Sequence, residues 1–238
     1  LNKGAAYGID NVSSEEFGEN LNENIDRLLI KLKGGNYHPS PVKRVYIPKG
    51  KNDKRPLGLP TIEDKLAQRA VGIILSAVFE QDFQDNSYGF RSKRNAHQAV
   101  SEVKKVIARD KVSWIVDADI KSFFDNMSHE WILKFVEHRV KDAAILSLIS
   151  KWLKAGIMEE GKVIKSSTGA PQGGVISPVL ANIYLHYVLD LWVNKVVKKH
   201  ISGEMYYFIG YEMDAKNEKL EKKLNGDNIF ELMDIDID

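Results

Sequence analysis

The sequence predicts a mixed α+β fold. Three observations predict it: apolar residues recur at helical spacing over 13–33 and 61–83, residues 43–47 alternate like a strand, and a short β-branched and aromatic run precedes Asp119. With 238 residues and a 43% apolar fraction, the chain can bury an ordinary core in one large domain or two small ones. No run approaches the roughly 18 apolar residues that a membrane helix needs. The opening LNKGAAYGID lacks the apolar stretch of a secretory signal, so a soluble cytoplasmic protein is expected. The absence of cysteine excludes disulfides and thiolate metal sites, so any metal must be held by oxygen or imidazole ligands.

Each element has a local cause. Ser13 and Glu16 form a capping box ahead of an amphipathic helix over 13–33, where Phe17, Leu21, Ile25, Leu29 and Leu32 share a face and Gly34 and Gly35 end it. Residues 43–47 and the loop KGKNDKRPLG after them predict a basic hairpin. A long helix over 61–83 is expected to bury Leu66, Ala70, Ile73, Ile74, Ala77 and Val78, and another helix covers 95–108. Val112, Trp114, Ile115 and Val116 read as a buried strand with Asp119 at its exit. Ser128 then caps a helix carrying Trp131, Ile132, Phe135 and Val136, a further helix covers 142–154, and Glu160 and Gly161 turn a short hairpin. Residues 168–178, TGAPQGGVISP, form a glycine-rich loop entering a helix with Ser177 as N-cap and Pro178 at N1. Residues 205–209 read as a strand, 214–224 as a charged helix, and the acidic stretch from 225 as a loosely ordered tail.

The formal net charge of +1 hides an uneven distribution of the 34 basic residues. Residues 43–55 hold six cations and one acid, and Arg91, Lys93 and Arg94 cluster beside Tyr88 and Phe90. Cations interleaved with aromatics suit a polyphosphate partner whose bases can stack, although a pair of solvated loops has the same composition. Asp119 is the leading candidate for metal chemistry, because a carboxylate on a rigid strand end can supply the oxygen ligands a hard divalent ion requires. Taken alone, the string also fits a strand followed by a solvated turn.

Four segments stand in one order: NKGAAYGID, then IPKGKNDKRPLGLPTIEDKLAQ, then DNSYGFRSKRNAHQAV with VDADIKSFFDN, then TGAPQGGVISPVLANIYL. Together they resemble the reverse transcriptase of group II intron-encoded proteins over most of residues 1–220. The resemblance implies a right-hand polymerase architecture of fingers and palm, with an antiparallel palm sheet packed on helices. It places the fingers in 1–108, the palm in 109–224 with inserted fingers helices at about 128–167, and the acidic tail in 225–238. It implies an RNA template or intron RNA, a DNA primer and dNTPs as partners, and two Mg2+ ions, held roughly 4 Å apart by shared carboxylates.

By position, Asp119 resembles the first metal-binding aspartate of the family, with the carbonyl of Ile120 as a second ligand. Phe124 resembles the residue that excludes a ribose 2′ hydroxyl, against the competing reading of a core phenylalanine beside Phe123. Lys49 and Arg55 resemble the cations that close over the triphosphate, a fitting role for fixed positive charge. Gln172 resembles the family's residue near the incoming nucleotide, and Lys65 and Arg91 resemble template-facing positions.

One departure matters. The family carries a Tyr-Ala-Asp-Asp turn whose aspartates complete the metal site, and this sequence has no such string. Either GYEMD is a degraded turn keeping only Asp214, or a short deletion joins MYYF to GYEMDAKNEKLEKKL. The second alignment is preferred, and it leaves roughly a dozen residues fewer than the family has. The two expectations are therefore an RNA-directed DNA polymerase domain that is truncated or inactive, and a noncatalytic, maturase-like fragment that binds intron RNA.

Overall fold

The computed structural model describes residues 4, 6–49, 53–110, 112–165, 167–170 and 173–200. The side chains of Lys49, Asp53 and His200 are outside that description. Gln172, the expected strand at 205–209, the helix at 214–224 and the tail also lie outside the described residues.

The first helix is two helices. α1 (Ser14–Glu19) begins at the expected capping box, where the Glu16 N–H donates to Ser13 Oγ and the Ser13 N–H donates to Glu16 Oε2, at 3.1 and 2.8 Å. α2 (Leu21–Lys33) restarts after Asn20, whose φ of −121° and ψ of 45° are not helical. The break leaves the Phe17 carbonyl without its usual helical donor, and the Asn24 side-chain amide donates to it at 2.9 Å.

The basic hairpin forms as expected. β1 (Val42–Lys49) pairs antiparallel with β2 (Asp53–Leu59), with Ile47 opposite Arg55 and Lys49 opposite Asp53. β1 also pairs in parallel with β3 (Ile157–Glu159), which returns through a tight turn as β4 (Lys162–Ile164). Glu160 and Gly161 take φ of 49° and 77°, the left-handed pair that a two-residue turn between right-twisted strands requires. The sheet order is β2-β1-β3-β4. It is a small mixed sheet in which only the β1–β3 pair is parallel, set beside helices in an α+β arrangement.

α3 (Ile62–Phe79) starts at the Thr61 cap but buries a different face from the one read in the sequence. Val71, Leu75 and Phe79 are buried together with Asp64 and Gln68, whereas Ile73 and Ile74 are exposed. The buried stripe includes polar side chains because each has a partner inside: Tyr37 and Ser40 for Asp64, and the backbone of 175 and 176 for Gln68. α4 (Ala96–Arg109) has its own capping box, Asn95 with Gln98, and buries no residue.

The buried strand expected at 112–116 does not form. Residues 112–120 have no regular structure, and Val112, Trp114, Ile115 and Val116 are all exposed, Trp114 by 74%. A strand exists only through the backbone of a neighbour, and among the described residues none pairs with this run.

α5 (Phe123–Asn126), α6 (His129–Arg139) and α7 (Ala143–Lys154) follow, α6 capped by Ser128 and α7 by Asp142. α8 (Ser177–Leu185) starts one residue earlier than expected, with Ile176 at the N-cap. It continues through two π-helical turns, His186–Asp190 and Val193–Val197, into α9 (Lys198–His200). The core lies where α3, α6, α7 and α8 meet, around Leu75, Phe79, Ile132, Val136, Ile149 and Leu180.

Candidate nucleotide and template site

The glycine-rich loop before α8 is the junction of the molecule. On its upstream side the Ala170 N–H donates to the Phe124 carbonyl at 2.8 Å and the Gly169 N–H donates to the Met127 carbonyl at 2.7 Å. The buried imidazole of His129 lies with Nε2 2.7 Å from the Gly169 carbonyl, so Nε2 carries the proton and donates. On the downstream side the Val175 and Ile176 N–H groups both donate to Gln68 Oε1 of α3, at 2.9 and 3.4 Å. Between these anchors Gly173, with φ +102°, sits directly on β2. A Cβ there would come within 2.5 Å of the Gly58 carbonyl oxygen.

Two further bonds tie other motif segments to α8 and α3. Asn182 of α8, itself buried, donates from Nδ2 to the Gly89 carbonyl at 2.9 Å. The Lys65 ammonium donates to the carbonyl of Ala6, which ties the N-terminal segment to α3. Lys65 is only 9% exposed, and burial lowers its pKa while Asp10 opposes the shift. Lys65 therefore faces the protein.

Arg91 does the same. Its Nη1 donates to the carbonyls of Gln84 and Ser87, and Nε and Nη2 reach the Glu80 carboxylate at 3.2 and 2.7 Å. The guanidinium also lies 5.4 Å from the centre of the Phe83 ring. With 7% of the residue exposed, Arg91 staples 84–91 to the end of α3.

Phe124 is half-buried, edge-on to Phe123 at 5.7 Å, while Phe123 in turn meets Tyr184 of α8. Arg55 is part-buried on β2 and Lys49 closes the far end of β1. Asp119 and Ile120 lie on the exposed irregular run that leads into α5. Thus the structure gathers the Phe124 segment, the base of the hairpin strand that carries Arg55, and both flanks of Gln172 around one loop. Among the described residues, no three carboxylate or imidazole side chains come together in a way that could hold a metal ion. The described donors therefore do not form the expected two-ion site around Asp119.

Sequence reasoning passed over the residues that hold this junction. Gln68 and His129 were legible only as polar residues on helices. Beneath them Asp64, 3% exposed, accepts from the Tyr37 hydroxyl and from the Ser40 N–H at 3.2 Å, and Trp152 Nε1 donates to the Tyr37 oxygen at 2.9 Å. Burial raises the pKa of Asp64 against these hydrogen bonds, and burial with the nearby Asp64 charge pushes the Tyr37 hydroxyl up as well. The signal in the sequence was the spacing 64, 68, 71, 75, a helical stripe in which two polar residues keep step with two apolar ones.

A family model described as reverse transcriptase (RNA-dependent DNA polymerase) matches residues 47–211. The chain belongs to this family. The reverse transcriptase domain is 44% identical over 196 residues to the group II intron-encoded protein LtrA of Lactococcus lactis subsp. cremoris, covering 80% of this chain and 32% of that protein. It is 38% identical over 182 residues to protein YkfC of Escherichia coli (strain K12), covering 75% of this chain and 48% of the relative. A nuclear intron maturase 4, mitochondrial, of Arabidopsis thaliana is 31% identical over 133 residues, 56% of this chain and 16% of the maturase. The chain thus spans less than half the length of these relatives. It is a reverse transcriptase domain of the group II intron type, matched over the hairpin, α3, the Asp119 segment and the glycine-rich loop.

Proposed function

We propose that this domain binds an RNA template and a nucleotide around the loop at 168–176, as the fingers and palm parts of an RNA-directed DNA polymerase. The supporting observation is the convergence of separate motif segments on that loop through Gln68, Gly173 and Phe124. In this reading Lys49 and Arg55 meet the triphosphate, Phe124 faces the ribose, and Gln172 lies beside the nucleotide. Cations on a hairpin suit a polyanion. Asp119 and the Ile120 carbonyl are the donors the chain offers to the divalent-ion chemistry of the family. Among the described residues, no group of three or more carboxylate or imidazole side chains gathers there to hold an ion.

The missing Tyr-Ala-Asp-Asp string favours a second reading: binding of intron RNA without nucleotidyl transfer. Primer extension on an RNA template in Mg2+ separates the two. Extension above an Asp119→Ala control supports the polymerase reading. No extension, together with RNA binding that weakens steeply with salt, supports the noncatalytic one. Absence of salt-dependent RNA binding contradicts both.

A further inference from the structure

We propose that the loop at 87–94 is a contact for single-stranded RNA, in which the Phe90 ring stacks on a base while the Lys93 ammonium and the Ser92 hydroxyl meet the neighbouring phosphate. This rests on RNA binding, which both readings above share. The stretch 84–94 is pinned at its carbonyls. Arg91 holds those of Gln84 and Ser87, and Asn182 of α8 holds that of Gly89. Arg94 holds the Asp85 carbonyl and reaches the Asp85 carboxylate at 3.0 Å, while its guanidinium lies 5.5 Å from the centre of the Tyr88 ring.

These pins leave an aromatic ring and a cation turned to solvent. Phe90 is 63% exposed, and Ser92 and Lys93 are exposed beside it. Phe90 and Lys93 take φ of 50° and 62°, the left-handed region that a residue with a side chain rarely occupies and a bulky one least of all. Glycine would hold either turn without strain, so the path of the chain gives no reason for a phenylalanine there. Strain kept at an exposed aromatic points to a use for the ring.

An open cleft of about 460 Å3 lies between this loop and α4, lined by Tyr88, Ser92, Lys93 and Arg94 with Glu80 and Glu102. Both carboxylates are engaged, Glu80 by Arg91 at 2.7 Å and Glu102 by Lys105 at 2.5 Å, and Arg94 is engaged by Asp85. Among the described residues Lys93 has no such partner, so its charge is open to an incoming anion. An unpaired strand offers a base face to a ring and a phosphate to a cation at each step, whereas the bases of a duplex stack on one another. A ring flanked by a hydroxyl and an ammonium fits that alternation.

Anisotropy titrations of the full chain with a fluorescent oligouridine, and with an RNA duplex of the same length, test the contact over a series of salt concentrations. Phe90→Ala is expected to weaken oligouridine binding about tenfold and leave duplex binding unchanged, and Phe90→Trp to keep the wild-type affinity. Phe90→Gly is expected to weaken binding as Phe90→Ala does without lowering the melting temperature, because it relieves the strained backbone. Lys93→Gln is expected to flatten the slope of log affinity against log salt by about 0.7, the value for one phosphate of a single strand, and Lys93→Arg to restore it. A wild type that binds oligouridine, with affinity unchanged in Phe90→Ala or slope unchanged in Lys93→Gln, overturns the proposal. So does a loss equal for single strand and duplex, or one that follows the melting temperature through all the Phe90 variants. A Phe90→Ala chain that keeps its RNA affinity but sediments as a smaller species assigns the ring to a protein interface instead. A wild type that binds no RNA rejects the shared reading beneath the proposal, and the proposal with it.

Discussion

Arg91 is a cation in a basic, aromatic-rich motif, yet its guanidinium is turned inward onto Glu80 and two backbone carbonyls. Charge in a sequence reports composition, not direction, and the buried partners decide where the charge acts. Arg91→Ala is expected to destabilise the fold by about 2–4 kcal/mol in denaturant unfolding, because charge-assisted bonds to buried carbonyls are lost. The salt slope of RNA binding should not change; a slope that falls by about one would instead assign Arg91 a phosphate contact. Asp64 gives the pH counterpart. Burial raises its folded pKa above the ordinary 3.8, so the folded chain keeps a proton that the unfolded chain has released. The stability tied to this group is full below 3.8 and declines as pH rises through the folded value. The melting temperature of the wild type relative to Asp64→Asn should therefore fall as pH rises above the ordinary carboxylate value of 3.8. A difference that is flat or rises with pH contradicts the burial account.

At the scale of elements, the hairpins and caps were legible because their causes are local. Ser13 with Glu16, and Glu160 with Gly161, each act within a few residues. The buried face of α3 was not legible in this way. Apolar periodicity favoured Ile73 and Ile74, but the face carrying Asp64 and Gln68 is buried because Tyr37, Ser40 and the backbone of 175 and 176 meet it from distant parts of the chain. The same distinction separates two glycines. Gly161 has φ 77°, and a Cβ at that position would meet nothing within 4 Å, so Gly161→Asn, a residue tolerant of left-handed backbone, should cost less than about 1 kcal/mol. Gly173 combines φ 102° with a Gly58 carbonyl oxygen that would stand 2.5 Å from a Cβ, so Gly173→Ala must shift backbone. The expected loss is about 1–3 kcal/mol, read by denaturant unfolding, with faster amide exchange in the glycine-rich loop. Equal costs for the two substitutions would show that the loop does not rest on β2.

At the scale of the whole molecule, the run before Asp119 shows what local pattern can and cannot specify. Val112, Trp114, Ile115 and Val116 have strand propensity, but a strand is a relation between segments, and no described segment supplies the partner backbone. The motif string identified the family correctly, whereas its expected burial depended on a neighbour that the string itself does not contain. The consequence is an apolar run open to solvent that follows α4, a helix that buries nothing. Exposed apolar runs of high β-propensity favour pairing between chains. Val116→Lys, which places a charge on the run without touching the core, should shift sedimentation toward monomer at high protein concentration and leave the melting temperature within experimental scatter. Trp114→Phe should in turn remove a large share of the acrylamide-quenchable fluorescence, because Trp114 is the most exposed tryptophan described, at 74% against 49% for Trp131 and 45% for Trp192. If quenching is unchanged by that substitution, or if Val116→Lys unfolds the chain, then 112–116 is covered in solution and the strand read from the sequence does form against a partner.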